Sequence, residues 1–472
     1  MGSTEAKGYR QIVTILNDHP GEEWTQGTLT DFEKAEVILV IGGGAVELHP
    51  VLKPMINTFL KKDGGELVVI SSWRDYLLER ATLPIEIRPE SQEIFLSELR
   101  ESLSGNIECR QSDVGEFGVD CSALVRLVSL LDGEKEILLL VAPYLFGDNE
   151  QLGQLAAYLS DRLGAILPLG AQCNSRGAMF QSGFSSILQP GGMPVEKSKR
   201  GFKHTDEIFK AIENGTIRAL YLLGDDPLEN SPDPERIKDL LKKLDLLIYQ
   251  SPYEGASASL ADIVFPSATI PEKSGSVVSV FGNQKNINPV IAMPDGVKTD
   301  LRILRELVDA MGDDGKEFAI DTIQRRLLEQ VHTVRDEAIS EHHDSPGEHA
   351  WKKEEDVMTK SPDFPYIMIP VPSLFGDGVV SRNSPQLNEL RNGIKVLMSP
   401  GDFEEHSFEK NELVEIVSRF GSARSRIECS ASVQRGTVLA SNMPGSSRGL
   451  LLLKKQHRII PVNIVRIKEN GR

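Results

Sequence analysis

The chain has 472 residues, of which 40% are hydrophobic and 26% charged, a balance that excludes a fibrous or largely disordered protein. At roughly 150 residues per domain, the length predicts about three domains. The 52 lysines and arginines against 69 aspartates and glutamates give a net charge of −17 at pH 7. Because non-specific nucleic-acid binding needs a positive surface, we expect no nucleic-acid partner.

The four cysteines are Cys109, Cys121, Cys173 and Cys429, and no two of them form a CxxC pair. The spacing therefore predicts neither a zinc ribbon nor a ferredoxin-type iron–sulfur cluster. So few cysteines also exclude a disulfide scaffold and are typical of a reducing compartment. The first residues lack the pattern of a signal peptide, and no apolar run approaches the ~20 residues of a membrane helix. We therefore expect a cytoplasmic protein without direct membrane insertion.

In the first third of the chain, short apolar runs alternate with turns and amphipathic segments. Residues 36–41 form a predicted strand that leads into three glycines at residues 42–44, and a helical pattern follows at residues 50–61. Further predicted strands lie at residues 67–70 and 137–141. Uninterrupted apolar strands that alternate with helices are typical of parallel sheets built from βαβ units.

The same pattern returns in the middle of the chain. A predicted strand at residues 217–223 leads into Gly-Asp-Asp-Pro at residues 224–227, and a predicted helix at residues 234–244 precedes a strand at residues 246–249. The first two-thirds of the chain therefore predict two doubly wound, Rossmann-like α/β domains.

The last part of the chain has a different texture. Strand-like runs separated by turns predict a small β-barrel. The runs lie at residues 395–398, 412–418, 425–429, 436–440 and 459–466. The predicted organisation is a helical lead-in at residues 1–33, α/β domains at residues 34–168 and 169–335, an acidic linker at residues 336–362 and the barrel at residues 363–472.

The glycine-rich turn at residues 42–44 is a candidate phosphate loop, because glycine lets the backbone approach a phosphate closely. The dinucleotide pattern GxGxxG would need glycine where Glu47 stands, and a carboxylate there would repel a pyrophosphate. A tight turn of an ordinary α/β sheet has the same sequence, so this alternative stays open.

For the turn at residues 224–227, the aspartates could accept hydrogen bonds from ribose hydroxyls or a guanine edge. Alternatively, Asp226 caps the next segment.

Two further groups have weaker signals. Arg176 would lower the pKa of the Cys173 thiol if the two met in space, but a structural thiol is the more common outcome. His342, His343 and His349 lie in acidic, aperiodic sequence without HExxH spacing. A solvated linker is therefore favoured over a metal site. No catalytic residue and no metal ligand is predicted from the residues alone.

One stretch is less generic than the rest. Residues 261–266 (ADIVFP) and 271–275 (PEKSG) resemble the ADVVLP…EKxGT segment of the molybdopterin oxidoreductase superfamily. Other family-like pieces follow in the family's order at residues 34–42, 49–52, 170–178, 219–227, 300–304, 384–387, 412–416 and 435–438. The resemblance covers nearly the whole chain and corresponds to the family's later portion.

The resemblance implies that the barrel is of the double-psi type. It also implies cofactor-binding roles, if a pterin or nucleotide is bound, for Gly42, Gly44, Gly224, Asp226, Glu272 and Lys273. In the family, the cysteines that bind iron–sulfur clusters and the ligand of molybdenum lie in an N-terminal region. This chain is expected to begin after that region.

The chain departs from the family pattern at several polar positions. Asp226 stands where the family has Asn, and Leu301 stands where the family has Trp. Residues 276–279 (SVVS) replace the family's Thr-x-x-Asn. Added negative charge and lost polar contacts weaken the binding of a pterin dinucleotide. Residues 374–376 (LFG) and 384–387 (SPQL), together with the missing metal ligand, make the chain most similar in character to the large iron–sulfur subunit of complex I, the NADH-quinone oxidoreductase, without the iron–sulfur region.

The leading hypothesis is a structural subunit of an electron-transfer complex that binds no cofactor of its own. The iron–sulfur clusters would then lie in partner subunits, including a cysteine-rich one, and membrane association would come only through the complex. An alternative is the pterin-clamping half of a split formate-dehydrogenase-like molybdenum or tungsten enzyme, with a bound molybdopterin dinucleotide. A third is a module that binds a nucleotide in the sheet crevice.

Overall fold

The computed structural model describes most of the predicted strands and helices. The described residues are 27–105, 118–133, 135–142, 150–159, 163–170, 174–175, 177, 188–189, 193–194, 205–231, 233–312, 360–371, 383–389, 395–441 and 460–467. Within this part of the chain, no helix combines the length and the apolar character that crossing a membrane would require.

The first sheet has five parallel strands. They are β1 (Val37–Ile41), β2 (Glu66–Ser71), β3 (Leu83–Glu86), β4 (Ile137–Val141) and β5 (Leu163–Pro168), in the spatial order β3-β2-β1-β4-β5. Every residue of β1 and β4 is buried, as a strand covered on both faces requires. The strand order reverses between β1 and β4, which is the switch point where ligands of such sheets bind.

Helices connect and cover these strands. They are α1 (Leu29–Lys34), α2 (Ala45–Leu48), α3 (Leu52–Phe59), α4 (Tyr76–Arg80), α5 (Gln92–Leu103), α6 (Cys121–Leu131) and α7 (Glu150–Tyr158). Phe95 of α5 and Leu127 of α6 are fully buried in one apolar cluster with strand residues such as Leu39 and Leu139. This cluster is the core of the first sheet.

The middle of the chain forms a second, smaller parallel sheet. The elements described in this part of the chain are β6 (Leu188–Gln189), β7 (Met193–Pro194), β8 (Ala219–Leu223), β9 (Leu246–Ser251), β10 (Ile263–Pro266), β11 (Gly275–Val278), β12 (Gln284–Ile287), α8 (Thr205–Glu213), α9 (Pro227–Asn230), α10 (Pro234–Leu241) and α11 (Asp300–Ala310). The parallel strands lie in the order β10-β9-β8, and β11 and β12 form an antiparallel pair. Ile237 and Leu241 of α10 pack on Leu247 of β9 to form the core.

The C-terminal part is a closed six-stranded barrel. Its elements are β13 (Tyr366–Val371), α12 (Pro385–Glu389), β14 (Lys395–Met398), α13 (Pro400–Glu405), β15 (Glu412–Ser418), β16 (Gly421–Cys429), β17 (Thr437–Ser441) and β18 (Ile460–Arg466). The order is β13-β17-β14-β16-β15-β18, with β13/β17 and β14/β16 parallel and the other described pairs antiparallel. The predicted fold class, α/β domains followed by a β-barrel of this type, is confirmed.

The chain divides into two compact units. The sheet–barrel unit comprises Ser3–Gln172 and Val357–Arg472, and the second α/β unit comprises Met1–Gly2 and Cys173–Asp356. The first sheet and the barrel, which are distant in sequence, therefore belong to the same unit. The predicted domain borders remain predictions.

Candidate functional site

Both glycine-containing turns lie at the carboxyl ends of parallel strands, where ligands of open α/β sheets bind. Residues 42–44 follow β1 at the switch point of the first sheet, and residues 224–227 follow β8 of the second sheet. The two turns belong to different compact units.

The first turn is buried, and two of its backbone N–H groups are already bonded. Gly42 and Gly44 have φ angles of 93° and 77°, a left-handed conformation that favours glycine. The Gly42 N–H donates to the carbonyl oxygen of Ile70 at 2.9 Å, and the Gly44 N–H donates to the Asp75 carboxylate at 3.2 Å. These two N–H groups are therefore satisfied by the chain itself and not free for a phosphate.

An indole ring covers the same turn. A Cβ atom added at Gly43 would lie 2.3 Å from the ring of Trp73, so only glycine fits beneath this side chain. Trp73 is 4% exposed and lies in the loop between β2 and α4. The sequence pattern at residues 42–44 therefore reflects close contact with Trp73 as well as the tight turn.

Two carboxylates lie at this turn. Asp75 is 6% exposed and caps α4, because its Oδ1 accepts hydrogen bonds from the backbone of Leu77 at 3.1 Å and Leu78 at 3.0 Å. Burial, and next the negative charge of Glu47, raise the pKa of Asp75 to about 6. Glu47 itself has a buried Oε2 with no hydrogen-bond partner in the described part of the chain. A further anion placed here would meet both carboxylates.

His49 closes the far end of α2. Its Nε2 lies 2.6 Å from the carbonyl oxygen of Gly170, and burial lowers the pKa of His49. Because a carbonyl only accepts, the neutral ring donates from Nε2 and ties α2 to the end of the segment after β5. This contact stabilises the turn and leaves that ring nitrogen without a free lone pair.

At the second turn, Gly224 has a φ of 66°, and Asp226 is a structural cap. Asp226 is 3% exposed, and its Oδ1 accepts hydrogen bonds from the backbone of Leu228 (3.0 Å) and Glu229 (3.3 Å) at the start of α9. The Ser257 hydroxyl donates to Oδ1 at 2.5 Å and the Ser257 N–H to Oδ2 at 3.0 Å. The capping alternative is therefore what the geometry shows for this carboxylate.

The loop at residues 271–275 is tied to the same edge of the second sheet. Glu272 accepts a hydrogen bond from the backbone of Thr269 at 2.7 Å, and the Lys273 ammonium group forms an ion pair with Asp300 at 2.5 Å. Burial alone would raise the pKa of Asp300, but hydrogen bonds from Lys273 and Gln250 outweigh burial and lower this pKa.

Gln250 joins the predicted residues into one network. Its backbone carbonyl accepts from the Gly224 N–H at 2.8 Å, its Nε2 donates to Asp300 at 3.0 Å, and its Oε1 accepts from the Tyr221 hydroxyl. The structure thus brings Gly224 and Lys273 to one sheet edge, whereas Gly42 and Gly44 lie in the other unit.

Several residues of these sites were not predicted from the sequence. Trp73 and Asp75 at the first turn and Gln250 at the second are buried and central, yet none lies in a recognisable motif. An aspartate just before an apolar run is a helix N-cap signal, so Asp75 could have been found as a cap. Nothing local marks Trp73 or Gln250, because their contacts join segments distant in sequence.

The other candidate groups fall partly outside the described residues. Cys173, Arg176, His342, His343 and His349 are not among them. Cys429 is free and exposed, whereas Cys121 is disulfide-bonded, which the low cysteine count did not lead us to expect. Across the described ranges, no group of three or more His, Cys, Asp or Glu side chains is arranged to hold a metal ion.

Comparison with protein families gives two matches. The family described as molybdopterin oxidoreductase matches residues 2–310, and the molydopterin dinucleotide binding domain matches residues 371–457. The first match includes both sheets, and the second includes barrel strands β14 to β17.

Three curated relatives illustrate the range of similar proteins. NADPH-Fe(3+) oxidoreductase subunit alpha of Geobacter sulfurreducens is 30% identical over 291 residues, covering 56% of this chain and 33% of the relative. F420-dependent formate dehydrogenase subunit alpha of Methanocaldococcus jannaschii is 20% identical over 508 residues, covering 90% of this chain and 74% of the relative. The G 2 subunit of NADH-quinone oxidoreductase from Rhizobium meliloti is 26% identical over 278 residues, covering 52% of this chain and 32% of the relative. The matched part is thus about a third of the first and third relatives.

Among solved structures, acetylene hydratase from Pelobacter acetylenicus has a TM-score of 0.66 to this chain. The superposition covers 97% of this chain and 81% of that protein at 12% sequence identity. At this identity the likeness establishes a shared fold and nothing about activity.

Proposed function

Because the chain belongs to the molybdopterin oxidoreductase family, we propose that it is a structural subunit of a cytoplasmic multi-subunit electron-transfer complex, similar in role to the large subunit of complex I. In this proposal it binds neither molybdenum nor an iron–sulfur cluster itself. The iron–sulfur clusters of the complex lie in partner subunits, one of them rich in cysteine. The similarity to the NADH-quinone oxidoreductase subunit of Rhizobium meliloti supports this assignment.

One observation carries the proposal. At the switch point of the first sheet, the Gly44 N–H donates to the chain's own Asp75 carboxylate, with Glu47 beside it. A molybdopterin dinucleotide would bring a pyrophosphate, which needs free N–H donors and avoids carboxylates. The residues present at this turn therefore do not fit the pyrophosphate of such a cofactor.

The test is metal and pterin analysis of the native complex. The full chain carries an affinity tag at its own locus, and the complex that copurifies is analysed for iron, molybdenum, tungsten and pterin. It is then dissociated, and each subunit is analysed alone. We expect iron to follow a cysteine-rich partner, with no molybdenum, tungsten or pterin on this chain. Stoichiometric molybdenum or tungsten with pterin on the isolated chain would refute the proposal.

The second candidate function is the pterin-clamping half of a split molybdenum or tungsten enzyme. It is favoured by the match of residues 371–457 to the molydopterin dinucleotide binding domain and by the similarity to a formate dehydrogenase alpha subunit over 90% of the chain. Among the described residues of the second α/β unit, Lys273 is the one proposed to hold the anionic group, since its half-buried ammonium group, paired with Asp300, lies at the sheet edge.

Lys273→Met tests this candidate against a matched control. Lys298→Met removes a comparable ammonium group that pairs with Glu306 at the surface. A pterin clamp predicts that Lys273→Met lowers the molybdenum or tungsten content of the complex while Lys298→Met does not. Equal metal content in both variants, or none in the wild type, would rule this candidate out.

A further inference from the structure

The outward face of the barrel carries an apolar patch beside the first sheet. Along β13 and β17, Met368 and Val438 belong to the barrel interior, so the alternating neighbours Ile369 and Leu439 point outward. Ile369 is nevertheless 0% exposed and Leu439 3% exposed. Side chains that point out of a barrel are exposed unless another part of the protein packs on them. Another segment must therefore cover this outward face.

Trp73 covers this patch. Its side chain belongs to one buried cluster with Ile369, Val433 and Leu439, and Leu48 of α2 packs against the same cluster. The ring that lies against Gly43 of the sheet domain thus also packs on the barrel residues of this cluster. A single indole contacts both domains of the sheet–barrel unit.

Hydrogen bonds flank the indole. The Arg74 N–H donates to the carbonyl oxygen of Ser432 at 3.2 Å, and the Gln434 side-chain amide donates to the carbonyl oxygen of Ile87 at 3.1 Å. Ser432 and Gln434 adjoin Val433 in the turn between β16 and β17. The loop after β2 is therefore held against this barrel turn by packing and by hydrogen bonds together.

We infer that Trp73 and Asp75 are an internal substitute for a bound dinucleotide, and that Trp73 joins the first sheet to the barrel. A dinucleotide at a switch point brings its pyrophosphate anion to the glycine turn and its flat ring systems into the crevice. Here the indole is the ring, and the Asp75 carboxylate that accepts from Gly44 is the anion. This inference rests on the proposed function, since it names what fills the crevice of a subunit without that cofactor.

Calorimetry of the full-length Trp73→Ala variant tests the joining role. In the wild type we expect the first sheet and the barrel to unfold in one transition. Trp73→Ala should separate them into two transitions, because a large buried ring is removed. The midpoint of the first transition should lie roughly 10 °C below that of the wild type. Phe95→Ala is the matched control: it removes a buried ring from the sheet core alone and should lower the joint transition without dividing it.

Indole added in solution provides a second readout. It should raise the unfolding temperature of Trp73→Ala by refilling the cavity, and it should leave Phe95→Ala unchanged. A single undivided transition in Trp73→Ala, or equal effects of indole on both variants, would overturn the inference.

A milder pair of substitutions serves if Trp73→Ala does not fold. Trp73→Phe and Leu439→Ala should destabilise together by less than the sum of their separate effects, because they share one contact. Trp73→Phe with Ile416→Ala, whose side chain lies in the barrel interior, should be additive. Additivity in both pairs contradicts the joining role.

The ligand aspect is tested with GDP as the probe. GDP should leave the hydrogen exchange of residues 42–48 in the wild type unchanged. Slower exchange at these residues in the presence of GDP would overturn the inference that Trp73 and Asp75 take the place of a bound dinucleotide. These results are independent of metal analysis. Molybdenum or tungsten with pterin on this chain would refute the proposed function even if Trp73 joins the two domains. Conversely, Trp73→Ala can leave a single transition, which overturns the joining role, in a chain that carries no metal.

Discussion

The pKa of the Asp75 carboxylate is set by opposing effects of hydrogen bonding and burial. It accepts three backbone hydrogen bonds, from Gly44, Leu77 and Leu78, and these favour its ionised form. Burial and the neighbouring Glu47 act in the opposite direction and prevail, so the pKa rises from 3.8 to about 6. At neutral pH, the three backbone hydrogen bonds offset part of the cost of burying the ionised Asp75 carboxylate.

This raised pKa predicts a pH dependence of stability. The folded state binds the Asp75 proton more tightly than the unfolded chain, so the resulting stabilisation is complete below about pH 4 and is lost as the pH rises through about 6. The free energy of unfolding should fall by up to roughly 3 kcal/mol over this window through Asp75. Asp75→Asn should flatten the profile in urea titrations at several pH values.

Asp120→Asn is the control for that profile. Asp120 also caps a helix, α6, but it is exposed, and its hydrogen bonds with Ser122 lower its pKa. Its contribution therefore has the opposite sign and is lost as the pH falls. An Asp75→Asn profile with the same slope as the wild type between pH 4 and 7 would contradict the assignment.

Asp226 predicts a different residue-scale outcome. Asp226→Ala removes the acceptor of two helix N–H groups and both Ser257 hydrogen bonds, and it should cost about 2 to 4 kcal/mol. Asp226→Asn should cost roughly 1 to 3 kcal/mol, because its amide nitrogen would face the Ser257 N–H. Asp225→Asn keeps an Oδ1 that can accept from Asn230 and from the Asp226 N–H, and it should change stability by only about 0.5 kcal/mol. Chemical denaturation measures all three, and a neutral Asp226→Ala would exclude the structural role.

At the scale of elements, the glycine turn after β1 is shaped by the loop after β2. The two strands are parallel neighbours, so their carboxyl ends bring Gly43 and Trp73 together. The barrel strand β13 gives a contrasting case. It was not predicted, because Pro370 lowers the strand propensity of its run, yet closure of the barrel pairs Pro370 with Ala440 of β17.

The glycine turn predicts a strong effect of one methyl group. Gly43→Ala would place a Cβ 2.3 Å from the Trp73 ring, and relieving that overlap should cost at least about 1 to 3 kcal/mol. Gly275→Ala is the control, since no atom lies within 4 Å of its Cβ position, and it should change stability by about 0.5 kcal/mol or less. Thermal unfolding measures the change in unfolding temperature of each variant relative to the wild type. Similar changes in the two variants would mean that Trp73 does not constrain the turn.

At the scale of the whole molecule, the order of the chain and the grouping of its domains differ. The chain leaves the first sheet, forms the second α/β unit and returns to build the barrel in the same unit as the first sheet. Arg74, Ile87 and the ring of Trp73 make contacts between sheet and barrel.

This grouping predicts two independent unfolding transitions. Phe95→Ala, in the core of the first sheet, should lower only the transition of the sheet–barrel unit. Leu241→Ala, in the core between α10 and β9, should lower only that of the second α/β unit. Each should lose about 2 to 5 kcal/mol from its own unit, measured by calorimetry with hydrogen exchange to assign the transitions. A shift of both transitions by either variant would show that the units unfold together.

The sequence by itself determined the fold class, because uninterrupted apolar runs such as residues 36–41 and the shorter runs after residue 395 have local periodicities that only certain elements satisfy. The ordered motifs likewise indicated the family that residues 2–310 match. The sequence also placed residues 224–227 directly after a predicted strand.

Only the tertiary structure decided what surrounds those turns. Glycines at residues 42–44 are compatible with a phosphate or with an indole, and the choice depends on Trp73 and Asp75, which another strand delivers. Asp226 could cap or bind for the same reason, until Ser257 was seen to occupy its second oxygen. The sequence pattern specifies helices and strands because the periodicity of each lies within one short segment. What fills a crevice depends on contacts between segments that are distant in the sequence, and the spacing of residues along the chain does not reveal those contacts.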